Sequence, residues 1–294
     1  MAILSFGEVL WDAFGDEKQA GGAPMNVALH LAKQGADVLF GSSIGADESG
    51  DELVEFLQHN GLYSDLIQRD EELPTCEVTV QLDENQQATY IIPQPVSWDN
   101  IQEDDELTEA AKNVDAVIFG SLACRTESTR NTLLNVLEQT QALKIFDVNL
   151  RAPYYTLDTI AGLAAHADVV KMNDEELKII IPGKGDLKDK ITEFRKMYHA
   201  QTLCITRGEQ GALVWHDYEF YQQPGYTVEV VDTVGAGDSF LATFVNGLLK
   251  GQPIPEVLDK ACAVGAYVAG KRGANPDYDE QIKARLIADK AFSS

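Results

Sequence analysis

Short apolar runs of strand length alternate with amphipathic helical stretches along nearly all of this 294-residue chain, and that alternation leaves few architectures open. Residues 2–8 (AILSFGE) read as a buried strand. Residues 25–34 place Met25, Ala28, Leu29 and Ala32 on one helical face and stop at Gly35, a C-cap signal. VLFGSSIG follows as a strand, then SGDELVEFLQHNG as a helix with Leu53, Phe56 and Leu57 inward. The rhythm continues through VDAVIFGS, the TRNTLLNVLEQT helix, KIFDVN, a helix near 157–165, DVVKMN, helices near 174–199 and TLCITRG. GALVWHD, YEFYQ and YTVEVVD read as strands, and helices cover about 237–250, 254–271 and 278–290. Such alternation predicts an α/β fold, a central mostly parallel sheet with helices on both faces.

One stretch departs from the rhythm. TCEVTVQLDENQQATYIIP (75–93) alternates Cys76, Val78, Val80 and Leu82 against Glu77, Thr79 and Gln81. It turns at DENQ and returns through Thr89 to Ile92, a hairpin with two unlike faces. VLWDAF (9–14) adds a further strand to the same small sheet. The expectation is one domain, 1–294, carrying an inserted β-sheet lid formed by about 9–20 and 74–95. The open edge of that sheet is a natural contact for a second copy of the chain, since unpaired edges tend to be covered. No tandem repeat or low-complexity tract interrupts the pattern.

Composition narrows the partners. The balance of 23 basic against 47 acidic residues gives a net charge of −24, which argues against nucleic acid and anionic membranes. No run approaches the ~18 apolar residues of a membrane helix. The N-terminus, lacking a basic region and a cleavage site, reads as a first strand, so a cytoplasmic protein is expected. Cys76, Cys124, Cys204 and Cys262 are scattered without a C-x-x-C pair, which predicts buried free thiols. The five histidines give no H-E-x-x-H spacing.

Two glycine turns carry the chemistry. DTVGAGDSF (232–240) lies between YTVEVVD and a helix with apolar residues at 240, 241, 244, 248 and 249. At such a turn the free N–H groups and the positive end of the helix dipole converge on an anion. Gly235 and Gly237 admit close approach, because no Cβ intrudes. Asp238 there is either a dipole-stabilising acid or a base for an attacking hydroxyl. A dinucleotide fingerprint fits less well, because Phe240 stands where its third glycine belongs. GGAPMN (21–26) repeats the device with Asn26 in the first helical turn. It is an ordinary turn, or a cradle for a polyhydroxylated ligand with Asp12 accepting from adjacent hydroxyls.

GGAPMN near the start with DTVGAGD near the end resembles the ribokinase-like, or PfkB, sugar kinase family, and the resemblance covers essentially the whole chain. It implies a ribokinase-like fold and transfer of a phosphoryl group from ATP. It implies Asp238 as the base and Gly235, Ala236 and Gly237 as the anion hole. Asp12, Gly21, Gly22 and Asn26 would hold the sugar. Asn173 and Glu176 in KMNDEE match the family's N-x-x-E element, which organises Mg²⁺ and the phosphates largely through water; a helix N-cap followed by acids is the competing reading. TRGEQG resembles the nucleotide loop T-x-G-x-x-G, which implies that Thr206, Gly208 and Gly211 line ATP; a plain turn is the alternative. KRGANP (271–276) resembles a segment that contributes to a monovalent-cation site in many relatives, with Asp232, Val234, Val268 and Gly273 as candidate K⁺ ligands.

Within the family, GEVLWDAF with GGAPMNVA, GSLACRTE and DVNLRAPYY resemble fructokinases. Arg151 could pair with a phosphate oxygen or fix the sugar. A surface salt bridge is the competing reading for Arg151 and the favoured one for Arg125. The expected reaction is phosphorylation of D-fructose at its 6-hydroxyl, with lid side chains such as Tyr90 and Gln94 setting specificity. Another sugar or sugar acid as acceptor, or an inactive sugar-binding relative, are the alternatives; intact Asp238, Gly235 and Gly237 count against the second.

Overall fold

In a strand, successive side chains leave on opposite faces, and here both faces of the strands are apolar, so helices must cover each. The computed structural model describes residues 1–14, 17–82 and 88–288. In chain order the first half runs β1 (Ala2–Phe6), β2 (Leu10–Phe14), β3 (Glu17–Gly21), α1 (Ala23–Lys33), β4 (Asp37–Gly45), α2 (Glu48–His59), β5 (Ile67–Asp70), β6 (Glu77–Leu82), β7 (Ala88–Ile91), α3 (Asp105–Lys112), β8 (Ala116–Gly120) and α4 (Glu127–Gln139). The second half continues with β9 (Leu143–Asp147), α5 (Leu157–Ala164), β10 (Val169–Asn173), α6 (Asp174–Ile180), α7 (Leu187–Tyr198), β11 (Thr202–Thr206), β12 (Ala212–His216), β13 (Glu219–Gln223), α8 (Ala236–Leu249), α9 (Ile254–Ala269) and α10 (Glu280–Ile287).

Nine strands form the main sheet in the order β13-β12-β11-β10-β9-β8-β1-β4-β5. All pairs are parallel except β11–β12 and β12–β13. Period two sorts the core. Leu4, Phe6, Val117, Phe119, Val170 and Met172 face the layer containing α3 to α7. Ile3, Ile118, Ile145 and Val169 face α1, α2, α8 and α9. The α/β expectation holds. The strand order reverses between β1 and β8, and in open α/β sheets ligands bind beyond the carboxyl ends of strands at such a point.

A second sheet, β3-β2-β6-β7, stands apart. The β6–β7 hairpin pairs Val80 with Tyr90 and Leu82 with Ala88. β2 joins β6 in parallel and β3 in antiparallel. The expected turn at DENQ (83–86) and the side chain of Tyr90 lie outside the described residues; Gln94 is exposed beyond β7. One strand expectation is corrected. The 226–232 segment YTVEVVD is not a strand: the N–H groups of Val231 and Asp232 both donate to the Ala269 carbonyl at the end of α9. The alternating valines have no neighbouring strand to pair with, and Val230 and Val231 are each 61% exposed. All four cysteines are buried free thiols.

Arg125 is also placed differently from the surface pairing expected of it. It ion-pairs with Asp99 at 2.7 Å with both side chains only 2% exposed. Its Nη2 also donates to the Pro93 carbonyl, and its guanidinium lies over Trp98 at 4.1 Å. Tyr154 Oη donates to the Ile92 carbonyl, so the exit of the small sheet is anchored twice to the main body. Removing one partner leaves a buried charge uncompensated, so Arg125→Met should lower stability by about 3–5 kcal/mol in chemical denaturation; a loss under ~1 kcal/mol would show the pair to be dispensable.

Candidate active site

The turn before α8 is shaped by one close approach. Gly235 has a left-handed backbone, φ 76°, and a Cβ there would sit 2.5 Å from the Cα of Ala274. Asp232 ties the same two segments together. Its Oδ1 accepts from Val234 N–H at 3.0 Å and its Oδ2 from Gly273 N–H at 3.1 Å. The chain therefore enters α8 with Gly235 as N-cap and Ala236, Gly237 and Asp238 in the first turn; Ala236 N–H reaches back to the Thr233 carbonyl at 3.3 Å, and the first N–H groups of a helix lack intrahelical partners.

Asp238 is the hub. Asn26, on the first turn of α1, donates its Nδ2 to Asp238 Oδ2 at 2.8 Å. Asn275 donates its own Nδ2 to Asn26 Oδ1 at 2.7 Å. With an acceptor at one end and a donor at the other, the Asn26 amide has one orientation. Asp238 is half-buried; desolvation raises its pKa, with the Lys171 ammonium and the Asn26 amide opposing.

Lys171 lies below α8. It is the register partner of Asp147 on the neighbouring strand, and its Nζ donates to both oxygens of that carboxylate at 3.0 Å. Burial alone would lower the Lys171 pKa. Asp147, Asp238 and Glu176 outweigh it and hold the value above normal, so the amine is an ammonium. Glu8, just past β1, is 2% exposed, and its Oε2 has no hydrogen-bond partner among the described residues. Burial pushes its pKa up to about 7, against N–H groups of Glu8 and Ala23 and the charge of Arg151; Asp238 adds to the rise.

The remaining expected residues fall as follows. Asp12, on β2, faces the GGAPMN turn, its Oδ2 2.5 Å from where a Gly21 Cβ would stand. Burial raises its pKa to about 6, and Arg151 opposes. Gly22, φ 115°, caps α1, and a Cβ there would meet the Glu8 carbonyl, so this turn too is held tight. Arg151 is exposed and donates to the Leu150 carbonyl, and its charge acts on Glu8, Asp12 and Asp238.

Asn173 and Glu176 form a reciprocal capping box at α6: Asn173 Oδ1 accepts from Glu175 and Glu176 N–H, and Glu176 Oε2 accepts from Asn173 N–H. Glu176 Oε1 accepts from Leu150 N–H at 2.8 Å. Both carboxylate oxygens are thus engaged, which fits a hydrated cation met through water rather than direct ligation. Thr206 is the register partner of Asn173, so the T-x-G-x-x-G turn with Gly208 and Gly211 starts beside the capping box. Among the described residues no cluster of three His, Cys, Asp or Glu forms a metal cage. The Asp232, Val234, Val268 and Gly273 set is one carboxylate plus carbonyls, oxygen donors that suit a hard cation.

Sequence reading passed over Glu8, Asp147, Lys171 and Asn275. A signal existed for two of them: Asp147 in KIFDVN and Lys171 in DVVKMN are lone charges in buried strand runs. Asn275 gives none, because its partner is 249 residues away.

A mostly parallel sheet covered on both faces, with the N-terminal turns of α1 and α8 joined through the Asn26–Asp238 bond above a buried ammonium, defines an α/β protein with a charged cluster at two helix N-termini. A family model described as pfkB family carbohydrate kinase matches residues 3–281. The chain belongs to that family. The fructokinase of Solanum tuberosum is 30% identical over 308 residues, covering 97% of this chain and 95% of that protein. A sugar kinase of Pyrococcus horikoshii, solved in complex with ATP, is 28% identical with a TM-score of 0.80, covering 93% of this chain and 94% of that one. A double mutant of the Vibrio cholerae fructokinase, solved with fructose, ADP and potassium ion, superposes with a TM-score of 0.84 at 22% identity, covering 97% and 98%.

Folding raises Glu8 from an ordinary 4.5 to about 7, so its contribution to stability is full below about pH 4.5 and is lost as pH rises through about 7. Glu8→Gln should therefore stabilise the protein at pH 8 by about 1–3 kcal/mol and do little at pH 4.5. Denaturant titrations at the two pH values check this; an equal effect at both would refute it.

Proposed function

We propose that this carbohydrate kinase is a fructokinase, transferring the γ-phosphoryl group of ATP to the 6-hydroxyl of D-fructose. The observation that carries the reading is the Asp238 carboxylate, oriented by Asn26 at the free N–H end of α8. The similarity to the Solanum tuberosum enzyme along almost the whole chain supports fructose as the acceptor.

On this reading Asp238 takes the proton of the attacking hydroxyl. The bond from the sugar oxygen to the γ-phosphorus forms as the bond to the bridging oxygen of ADP breaks. Gly235, Ala236 and Gly237 present backbone N–H groups to the γ-phosphoryl oxygens, and Arg151 draws the anion in from the exposed side. Asp12, Gly21, Gly22 and Asn26 hold the sugar. Thr206, Gly208 and Gly211 line the nucleotide, and Asn173 and Glu176 would hold Mg²⁺ through water. When bound, Mg²⁺ neutralises phosphate charge. Asp232 with the carbonyls of Val234, Val268 and Gly273 would take K⁺. The β3-β2-β6-β7 sheet acts as a lid over the sugar within one catalytic unit, excluding water on closure. Its outer edge is the surface for a homodimer, and the protein works in the cytoplasm.

Three outcomes are expected. In a coupled assay of ADP release, fructose should be the preferred acceptor over ribose, glucose, mannose, adenosine and a keto-deoxy sugar acid; preference for another acceptor would discard fructose and keep the mechanism. Asp238→Asn should lower kcat by about 10²–10⁴-fold, the range for a general base, with ATP and fructose binding nearly intact by calorimetry. Because burial raises the Asp238 pKa, wild-type kcat/KM should fall on acidification well before pH 3.8, the ordinary carboxyl value. Comparable turnover in the Asn variant would end the base assignment.

A further inference from the structure

Lys171 is more than the partner of Asp147. Among the described residues its Nζ donates to Asp147 alone, through two bonds of 3.0 Å, so one of its three N–H groups is left over. A Cβ built on Gly237 would sit 3.1 Å from that Nζ, and the Lys171 Nζ is the nearest atom it would meet. The missing side chain at 237 thus lets the buried ammonium lie directly against the first turn of α8. Its charge acts on three carboxylates, those of Asp147, Asp238 and Glu176, which lie on β9, α8 and α6. One ammonium among three carboxylates leaves the surroundings negative. A transferring phosphoryl group adds more negative charge to that place. The other cation acting on Asp238 is Arg151, which is exposed, whereas Lys171 is fixed by its strand and by Asp147.

A buried ion pair in a sheet is also weak as a stabilising device, since apolar residues of similar volume often serve as well or better. Its neighbours along β10, Val169, Val170 and Met172, are apolar. Charge at this one position therefore calls for a use.

We propose that Lys171 is a catalytic residue: its free N–H contacts the phosphoryl group in transit and stabilises the charge that spreads over its oxygens. This rests on the phosphoryl-transfer reading above. In the step, the sugar oxygen bonds to phosphorus, the hydroxyl proton goes to Asp238, and ADP leaves with the electron pair of the broken bond. Lys171 stays protonated throughout and acts only as charge and hydrogen-bond donor. Asp147 is its positioning partner.

The test removes both charges of the pair, so that neither is left unpaired. Lys171→Met with Asp147→Leu should fold with a melting temperature close to that of the wild type and bind ADP within about threefold. It should bind ADP with aluminium fluoride and fructose, a mimic of the group in transit, about 10²–10³-fold more weakly, with kcat falling by a similar factor and KM little changed. If the apolar pair does not fold, Lys171→Met with Asp147→Asn provides the same comparison. A double variant that binds the fluoride mimic within tenfold of wild type would reduce Lys171 to a structural role and overturn the proposal. If the wild type itself fails to bind the mimic with any sugar, the phosphoryl-transfer reading falls and the proposal with it. The two failures are told apart by the wild-type titration alone.

Discussion

A partly desolvated carboxylate, that of Asp238, must be kept ionisable, and most of the cluster around it answers that demand. Burial pushes Asp238 toward its neutral form, and the groups that oppose burial come from distant parts of the chain: the ammonium of Lys171 from β10, the amide of Asn26 from α1, and the charge of Arg151. Each is itself held. Lys171 is held by Asp147 across a strand register, and Asn26 by Asn275. The close packing of α1 against α8 brings two helix N-termini to one place, so backbone dipoles add to the positive side of the balance. In a chain with net charge −24, these few fixed positive groups are the local exception that an anion requires.

The segment that closes the site is fastened by neutral chemistry. His30 is buried and its pKa is lowered by that burial to about 4, so the ring is uncharged at physiological pH. Its Nε2 then donates to the Ala274 carbonyl at 2.9 Å and its Nδ1 accepts from Tyr278 Oη at 2.6 Å. Lys33 donates to the carbonyls of Asn275 and Pro276. α1 therefore holds residues 274–278 in place, and that stretch in turn packs on Gly235 and orients Asn26. Fold and site are one mechanical unit here, because the same helix carries the GGAPMN turn and Asn26 at its start and the clamp further along.

Much of this was legible before any coordinates. The period of two and the period of 3.6 gave the layers, since both rest on local geometry. The two glycine turns declared themselves because close backbone approach admits few other residues. The 226–232 segment misled, because alternating valines look the same whether or not a neighbouring strand exists to pair with them. Arg125 misled in another way: GSLACRTE shows a charge suited to a surface salt bridge, but not Asp99 and Trp98, which bury it. Asn275 was invisible, since an asparagine in a loop has no pattern until its partner is known. Lys171 and Asp147 stood in plain view as charges inside apolar strands, and only the register revealed that they face each other.

The bond between Asn275 and Asn26 joins residues 249 apart, nearly the two ends of the described chain. Contacts so distant in sequence carry a large closure entropy and form late. Asn26, Asp147, Lys171 and Asp238 all precede Asn275 in the chain, so during synthesis α1 meets the Asn275 amide after every other member of the cluster has been made. A product cut short before residue 275 therefore lacks the amide that fixes Asn26, and with it the orientation of the group that bonds Asp238.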